Sequence, residues 1–145
     1  MIDPAPCRAR VWHAPCLLRI LWAHEDASDR PRRTDAALMF RLIRQRAIRV
    51  IQLGRRPVGF IARNGSIILA LYVHPRGQGR GYGSMLLADA KACHPQLELW
   101  TLRDNLPARR FYAAHGFVEV ARGMGLGNDG GLPDIHLAWQ KEAAT

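Results

Sequence analysis

The stretch LYVHPRGQGRGYGSMLL, residues 71–87, decides the fold. An apolar run meets four glycines at alternate positions, Gly77, Gly79, Gly81 and Gly83, and then Ser84-Met85-Leu86-Leu87. A glycine inside a regular element costs about 0.5–1 kcal/mol relative to alanine, so four would cost roughly 2–4 kcal/mol. That is a large share of a stability of about 5–15 kcal/mol. A flexible loop would escape the cost, but the neighbours argue against one. A buried-looking strand ends at Val73, and an amphipathic helix begins within about eight residues. A strand-to-helix turn this tight points backbone N–H groups outward at a helix N-terminus, where the dipole favours anions by ~0.3–1 kcal/mol per charge. Without side chains in the way, an anion comes close. The stretch therefore predicts a phosphate site.

Working outward, three strands precede the glycines: IRVIQL (48–53), PVGFIAR (57–63) and SIILALYV (66–73). Asn64-Gly65 between the last two is a strong hairpin signal. The third strand is apolar on both faces, which predicts a mid-sheet position with layers on each side. A helix over about 82–93 follows the glycines, then a strand LELWTL (97–102), a helix near 106–115, and strands FVEVAR (117–122) and DIHLAW (134–139). Towards the N-terminus, PCLLRILWAH (15–24) has helical spacing at Leu17, Leu18, Leu21 and Trp22. EDASDRPRR reads as a polar loop. Thr34 is then the expected N-cap of a second helix running to about Arg46, with Leu38, Met39, Leu42 and Ile43 as its buried stripe. The first dozen residues read as an extended arm or short edge strand. The pattern is a single α/β domain over residues 1–145, a mixed sheet of six or seven strands with helices on both faces.

Composition narrows the class. Apolar residues make up 48% and charged residues 23%, as in an ordinary globular protein rather than a disordered one. The formal net charge is +9, and 19 of the 21 basic residues are arginine, Lys91 and Lys141 being the exceptions. Arginine suits phosphate, but the arginines are scattered from Arg8 to Arg122 without a block. Cys7, Cys16 and Cys93 form no CxxC, and the six histidines have no metal-ligand spacing, which predicts reduced thiols, a cytoplasmic protein and no metal. PCLLRILWAH is interrupted by Arg19 and lacks a cleavage site, so it does not read as a secretory leader. The apolar runs fall short of a membrane span.

Which phosphate the turn takes follows from what it lacks. A Walker loop needs Lys-Ser or Lys-Thr after its glycines. A dinucleotide fingerprint fails at Tyr82 in one frame and at Ser84 in the other. The pattern [QR]-x-x-G-x-G fits twice, from Arg76 to Gly81 or from Gln78 to Gly83. VHPRGQGRGYGSMLL resembles the acetyl-CoA-binding motif of the GNAT superfamily of N-acetyltransferases, V-x-P-x-x-[QR]-G-x-G-x-G, a small residue and paired leucines. That context selects the second frame. NLPARRFYAAHGF (105–117) resembles the second motif of the same superfamily at Asn105, Ala108, Phe111, Tyr112, Gly116 and Phe117.

The second motif also reads on its own terms. Asn105 can cap a helix, Pro107 is tolerated in its first turn and Gly116 suits the C′ position. Ala108, Phe111, Tyr112 and His115 share one face. Asn105 and Tyr112, two turns apart, point the same way at about 10.5 Å.

The resemblance implies acetyl-CoA in the cleft where strands 66–73 and 97–102 splay apart. Its diphosphate would lie on Gln78, Gly79, Arg80, Gly81, Tyr82, Gly83 and Ser84. Its thioester arm would meet Leu71, Tyr72, Val73, Asn105, Phe111 and Tyr112. The reaction it implies is direct attack of a neutral amine on the thioester. The Val73 N–H would stabilise the oxyanion, and Tyr112, protonated at neutral pH, would donate to the departing thiolate.

Many relatives carry a glutamate on the strand before the turn, whereas SIILALYV has no carboxylate. His74, Asp104 and Asp134 are the candidate bases, beside a water relay or an amine that arrives neutral. GMGLGNDGGLPD (123–134), long for a hairpin loop, offers Asn128, Asp129 and Asp134 to the amine acceptor. Two other classes compete. The segment RGQGRGYG resembles the arginine-glycine tracts of RNA-binding proteins, but those are disordered, and this one is clamped between a strand and a helix, which argues against nucleic acid. The missing carboxylate also leaves room for a non-catalytic acyl-CoA sensor of the same fold. A homodimer is allowed but not specified.

Overall fold

The computed structural model describes residues 5–24, 32–124 and 132–141. Its strands are β1 (Cys7–Arg8), β2 (Ile48–Leu53), β3 (Arg56–Asn64), β4 (Ile67–Val73), β5 (Gln96–Leu102), β6 (Val118–Gly123) and β7 (Asp134–Gln140). Its helices are α1 (Ala14–His24), α2 (Arg32–Arg44), α3 (Tyr82–Cys93) and α4 (Leu106–Ala114). The strands form one sheet in the order β1-β2-β3-β4-β5-β7-β6. Every neighbouring pair is antiparallel except β4 with β5. The expected N-terminal arm is a two-residue edge strand, Cys7 opposite Val50 and Arg8 opposite Arg49.

A helical layer covers each face. On one side α1 and α2 bury Leu17, Ile20, Met39 and Ile43 against Ile48, Val50, Phe60 and Ala62. On the other, Tyr82, Leu86, Leu87 and Ala90 of α3 and Tyr112 of α4 pack with Ile51, Ile61, Leu97, Leu99, Ile135 and Leu137. These alternating inward positions are what the strand periodicity of two requires.

Helix α2 departs from its sequence reading in two ways. It already begins at Arg32, so Thr34 lies inside the first turn instead of capping it. Its buried stripe holds Met39 and Ile43 as expected, but Leu38 is 44% exposed and Asp35 is buried. The cause is polar: the indole Nε1–H of Trp22 donates to Asp35 Oδ2 at 2.8 Å, which turns that side of α2 towards α1.

Strand β4 lies mid-sheet, but it is not layered along its whole length. Ala70 pairs with Ala62 and Ile68 with Arg63, which leaves Leu69 as an extra, bulged residue that is 52% exposed. The bulge reverses the facing of the strand. Ala70 and Tyr72 pack with α1 and α2, whereas Ile68 packs on the α3 side. Between β4 and β5 only Ile67 and Glu98 are in register, with the Glu98 N–H reaching Ser66 O at 3.0 Å. Beyond that point the two strands part towards their C-terminal ends.

Candidate functional site

The glycine turn begins where β4 ends. His74 N–H bonds Val58 O on β3 at 2.7 Å, a 3-10 turn spans Pro75–Gly77, and Gln78 Nε2 donates to Val73 O at 3.3 Å. The four glycines then serve different ends. Gly79 and Gly81 have φ of +79° and +82°, a region open to glycine and strained for other residues. Gly81 is the N-cap of α3. A Cβ on Gly83 would stand 3.4 Å from the Phe111 ring, so that glycine brings α3 close to α4. Gly77 has room for a Cβ in ordinary contact with Tyr82 and Val73.

Because Arg80 is not among the residues with positive φ, the sign alternates along Gly79-Arg80-Gly81-Tyr82. This alternation turns successive N–H groups to one side as an anion-binding concavity. The N–H groups of Tyr82, Gly83 and Ser84 add to it, since the first turn of a helix has no intrahelical acceptor for them; the first intrahelical bond is Met85 N–H to Gly81 O at 3.0 Å.

A further glycine, which the sequence did not single out, shapes the end of β4. A Cβ on Gly59 would lie 3.1 Å from Tyr72 O and 3.3 Å from Val73 Cγ2, so β3 passes the strand end closely, and a side chain there would press on β4. In-plane direction follows from the ladder. The His74 N–H turns to β3, so the Val73 N–H, one residue earlier, points to the other edge of β4, the side on which β5 has parted.

Helix α4 closes the other side. Asn105 is its N-cap, accepting the Ala108 N–H on Oδ1 at 3.3 Å, and Gly116 ends it at φ +88°. Tyr112 is 7% exposed, its ring edge-on to Phe111 at 5.1 Å and to Phe117 at 5.2 Å. Packing therefore falls to Tyr112 as much as to its neighbour. Its hydroxyl has no hydrogen-bond partner among the described residues, and burial pushes the phenol pKa well above its ordinary value. His115 joins the two helices: its Nε2 lies 2.9 Å from Ser84 Oγ and its Nδ1 2.8 Å from Phe111 O. The i, i+3, i+4, i+7 spacing placed His115 on this face, but its partner on α3 was not legible.

Val73, Gln78, the residues Gly79 to Ser84, Phe111 and His115 thus gather around the start of α3. Asn105 stands at the far end of α4. Asp134, 8% exposed, opens β7 opposite Leu102 and Gly123. Arg103 laces these strand ends, donating from Nε to Asp134 O at 3.3 Å and from Nη2 to Gly123 O at 3.0 Å. Asn128 and Asp129 lie outside the described residues. His74 is half-buried and Asp104 exposed. On the sheet face opposite α3 and α4, Trp100 stacks on His136 with centroids 4.8 Å apart, and His136 Nε2 is 3.8 Å from Glu98 Oε2. The sequence reading missed this group, although the alternation of β5 and β7 sets the three side chains on one face. Among the described residues no three His, Cys, Asp or Glu side chains converge as a metal site, and no helix is long and apolar enough to cross a membrane.

A family model described as "Acetyltransferase (GNAT) domain" matches residues 44–119, more than half of the chain. The peptidyl-lysine N-acetyltransferase YiaC of Escherichia coli is 36% identical over 64 residues, which cover 43% of this chain and 44% of that protein. The chain thus matches less than half the length of this curated relative. Among solved structures, YjaB from Escherichia coli in its apo form superposes with a TM-score of 0.76 at 24% identity, covering 97% of this chain and 100% of the other. Ard1 from Thermoplasma volcanium gives 0.80 at 19% identity, covering 98% and 100%. YncA from Salmonella typhimurium, solved with its cofactor acetyl-CoA, gives 0.74 at 18% identity, covering 99% and 97%. At these identities the likeness is one of fold.

Proposed function

Since the chain belongs to the GNAT acetyltransferase family, we propose that it transfers the acetyl group of acetyl-CoA to a primary amine by direct attack. One observation carries this reading: the alternating φ signs at Gly79 to Tyr82 build an anion cradle beside the place where β4 and β5 part. The diphosphate of the coenzyme rests on the N–H groups from Gly79 to Ser84, with Gln78 closing the turn. The pantetheine arm follows the end of β4 at Leu71, Tyr72 and Val73, and meets Asn105, Phe111 and Tyr112 of α4.

In the reaction the amine nitrogen attacks the thioester carbonyl. A C–N bond forms and negative charge moves onto the oxygen, where the Val73 N–H donates to it; a preorganised donor of this kind is worth about 2.7–4 kcal/mol. Collapse of the intermediate breaks the C–S bond; the Tyr112 hydroxyl keeps its proton and gives the departing thiolate a hydrogen bond, and the thiolate takes its proton from solvent. The ammonium proton passes to water or to one of His74, Asp104 and Asp134, since β4 carries no carboxylate. Asp134, with Asn128 of the preceding loop, is the proposed acceptor contact.

The name of YiaC makes a peptidyl-lysine amine one of the first acceptors to try. The test is a panel of amines, lysine peptides included, incubated with acetyl-CoA while free thiol is monitored. Thiol released in step with one amine, together with the matching acetamide, is the expected result. Tight coenzyme binding without thiol release from any amine would overturn catalysis in favour of an acyl-CoA sensor.

A further inference from the structure

The bond between Ser84 and His115 has a direction that can be read from its far end. His115 Nδ1 lies 2.8 Å from the Phe111 carbonyl oxygen, which only accepts, so Nδ1 carries a hydrogen. In the neutral ring Nε2 is then the acceptor, and the Ser84 hydroxyl donates to it across 2.9 Å. That leaves the lone pairs of Ser84 turned to the outside, the wrong polarity for an anion seated at the start of α3. Protonation of the ring reverses the bond. Nε2–H donates to Ser84 Oγ, the hydroxyl hydrogen becomes free for an anion oxygen, and a positive charge stands one hydrogen bond behind that contact.

We propose that His115 is a positioning residue of the coenzyme site, taking up one solvent proton as the diphosphate binds and turning the Ser84 hydroxyl towards it. The proposal rests on the reading of the glycine turn as the diphosphate site. The surroundings of the ring leave this role open. From α3, besides Ser84, Lys91 donates through Nζ to the His115 carbonyl oxygen and lies over the Trp139 ring of β7 at 4.7 Å and the Phe117 ring at 5.9 Å. Burial lowers the pKa of that lysine. On its own helix the ring touches Phe111 at 4.5 Å. Among the described residues no carboxylate pairs with His115, so the diphosphate is the anion that would hold its proton. By linkage, a coenzyme that raises the proton affinity of His115 must itself bind more tightly when the ring is protonated.

The experiment uses the full chain and dephospho-CoA, whose diphosphate keeps its charge between pH 6 and pH 8, with CoA alongside. The expected affinity rises about threefold to tenfold from pH 8 to pH 6, as uptake of about a quarter to half a proton across that range requires. Calorimetry in buffers of different ionisation heat should read a fraction of one proton taken up per coenzyme. The titration of the His115 ring, followed by NMR in the wild-type chain, should move to higher pH on saturation. His115→Gln donates to Ser84 at every pH, so its affinity profile should be flat; His115→Phe should bind more weakly throughout. A pH-independent affinity without proton uptake, an unmoved His115 titration, or a His115→Gln chain that keeps the wild-type slope would overturn the role. A wild-type chain that binds neither CoA nor dephospho-CoA at millimolar concentration would overturn the diphosphate reading itself, and this role with it.

Discussion

Tyr112 is asked to meet two demands at once: its ring fills the core between Phe111 and Phe117, and its hydroxyl is proposed to meet the coenzyme. Burial raises the phenol pKa, so the group stays protonated at neutral pH, as the proposed hydrogen bond to sulfur requires. Tyr112→Phe keeps the ring and removes the donor. Turnover should fall about a hundredfold, the lower end of what such groups contribute, with KM for acetyl-CoA within about twofold; unchanged turnover under rate-limiting chemistry would remove the role. The same shift has a stability sign. A folded-state value above the unfolded value of about 10 stabilises fully below that pH, and the contribution is lost as pH rises through the folded value. Denaturation between pH 9 and pH 11 should therefore weaken the wild-type chain more than Tyr112→Phe. At this scale the sequence was informative where spacing suffices, as for Asn105, Tyr112 and Gly116 on one helix. It was silent on the contact between Ser84 and His115, 31 residues apart, because only the packing of α3 on α4 brings them together.

Helix ends repeat the contrast at the scale of elements. Helix α4 stops at Gly116 with the Phe117 N–H on Tyr112 O at 3.0 Å, and α2 stops the same way, with Ala47 N–H on Leu42 O at 2.9 Å and Arg46 N–H on Ile43 O at 3.0 Å. The left-handed C′ residue of α2 is Arg46, at φ +59°. A side chain there costs roughly 1–2 kcal/mol, and glycine would return part of the gain through its freer unfolded state. Arg46→Gly should thus stabilise by about 0.5–1 kcal/mol, read as a higher urea midpoint at unchanged slope; a lower midpoint would mean that the Arg46 side chain contributes more than its backbone costs. The β3–β4 hairpin and the Asn105 cap were legible because their signals are local, although the loop falls one residue later than Asn64-Gly65: Asn64 still pairs with Ile67, and Gly65 and Ser66 make the turn. The start of α2 and the exposure of Leu38 were not, since a hydrogen bond from Trp22 on α1 sets the buried side of the helix. The bulge at Leu69 was hidden for a related reason: a run apolar on both faces carries no alternation to break.

Across the molecule, the order of elements could be read from the sequence, whereas the parting of β4 from β5 followed only from the family resemblance, because pairing at Ile67 and Glu98 alone is a property of the assembled sheet. The charge acts at this scale too. A net +9 from arginines scattered along the sequence makes a long-range field. Such a field should draw the proposed anionic coenzyme in and is screened beyond a Debye length, about 10 Å at 0.1 M salt. The bound diphosphate, by contrast, is proposed to be held by short backbone contacts at the glycine turn, which salt screens far less. The two contributions should separate kinetically. Between ~50 mM and ~300 mM salt the association rate of CoA should fall several-fold while its dissociation rate changes little, as for other complexes steered by charge. Stopped-flow binding at several ionic strengths measures both. A salt-dependent dissociation rate with constant association would place the arginines in direct contact with the phosphates and take the grip away from the N–H groups of Gly79 to Ser84.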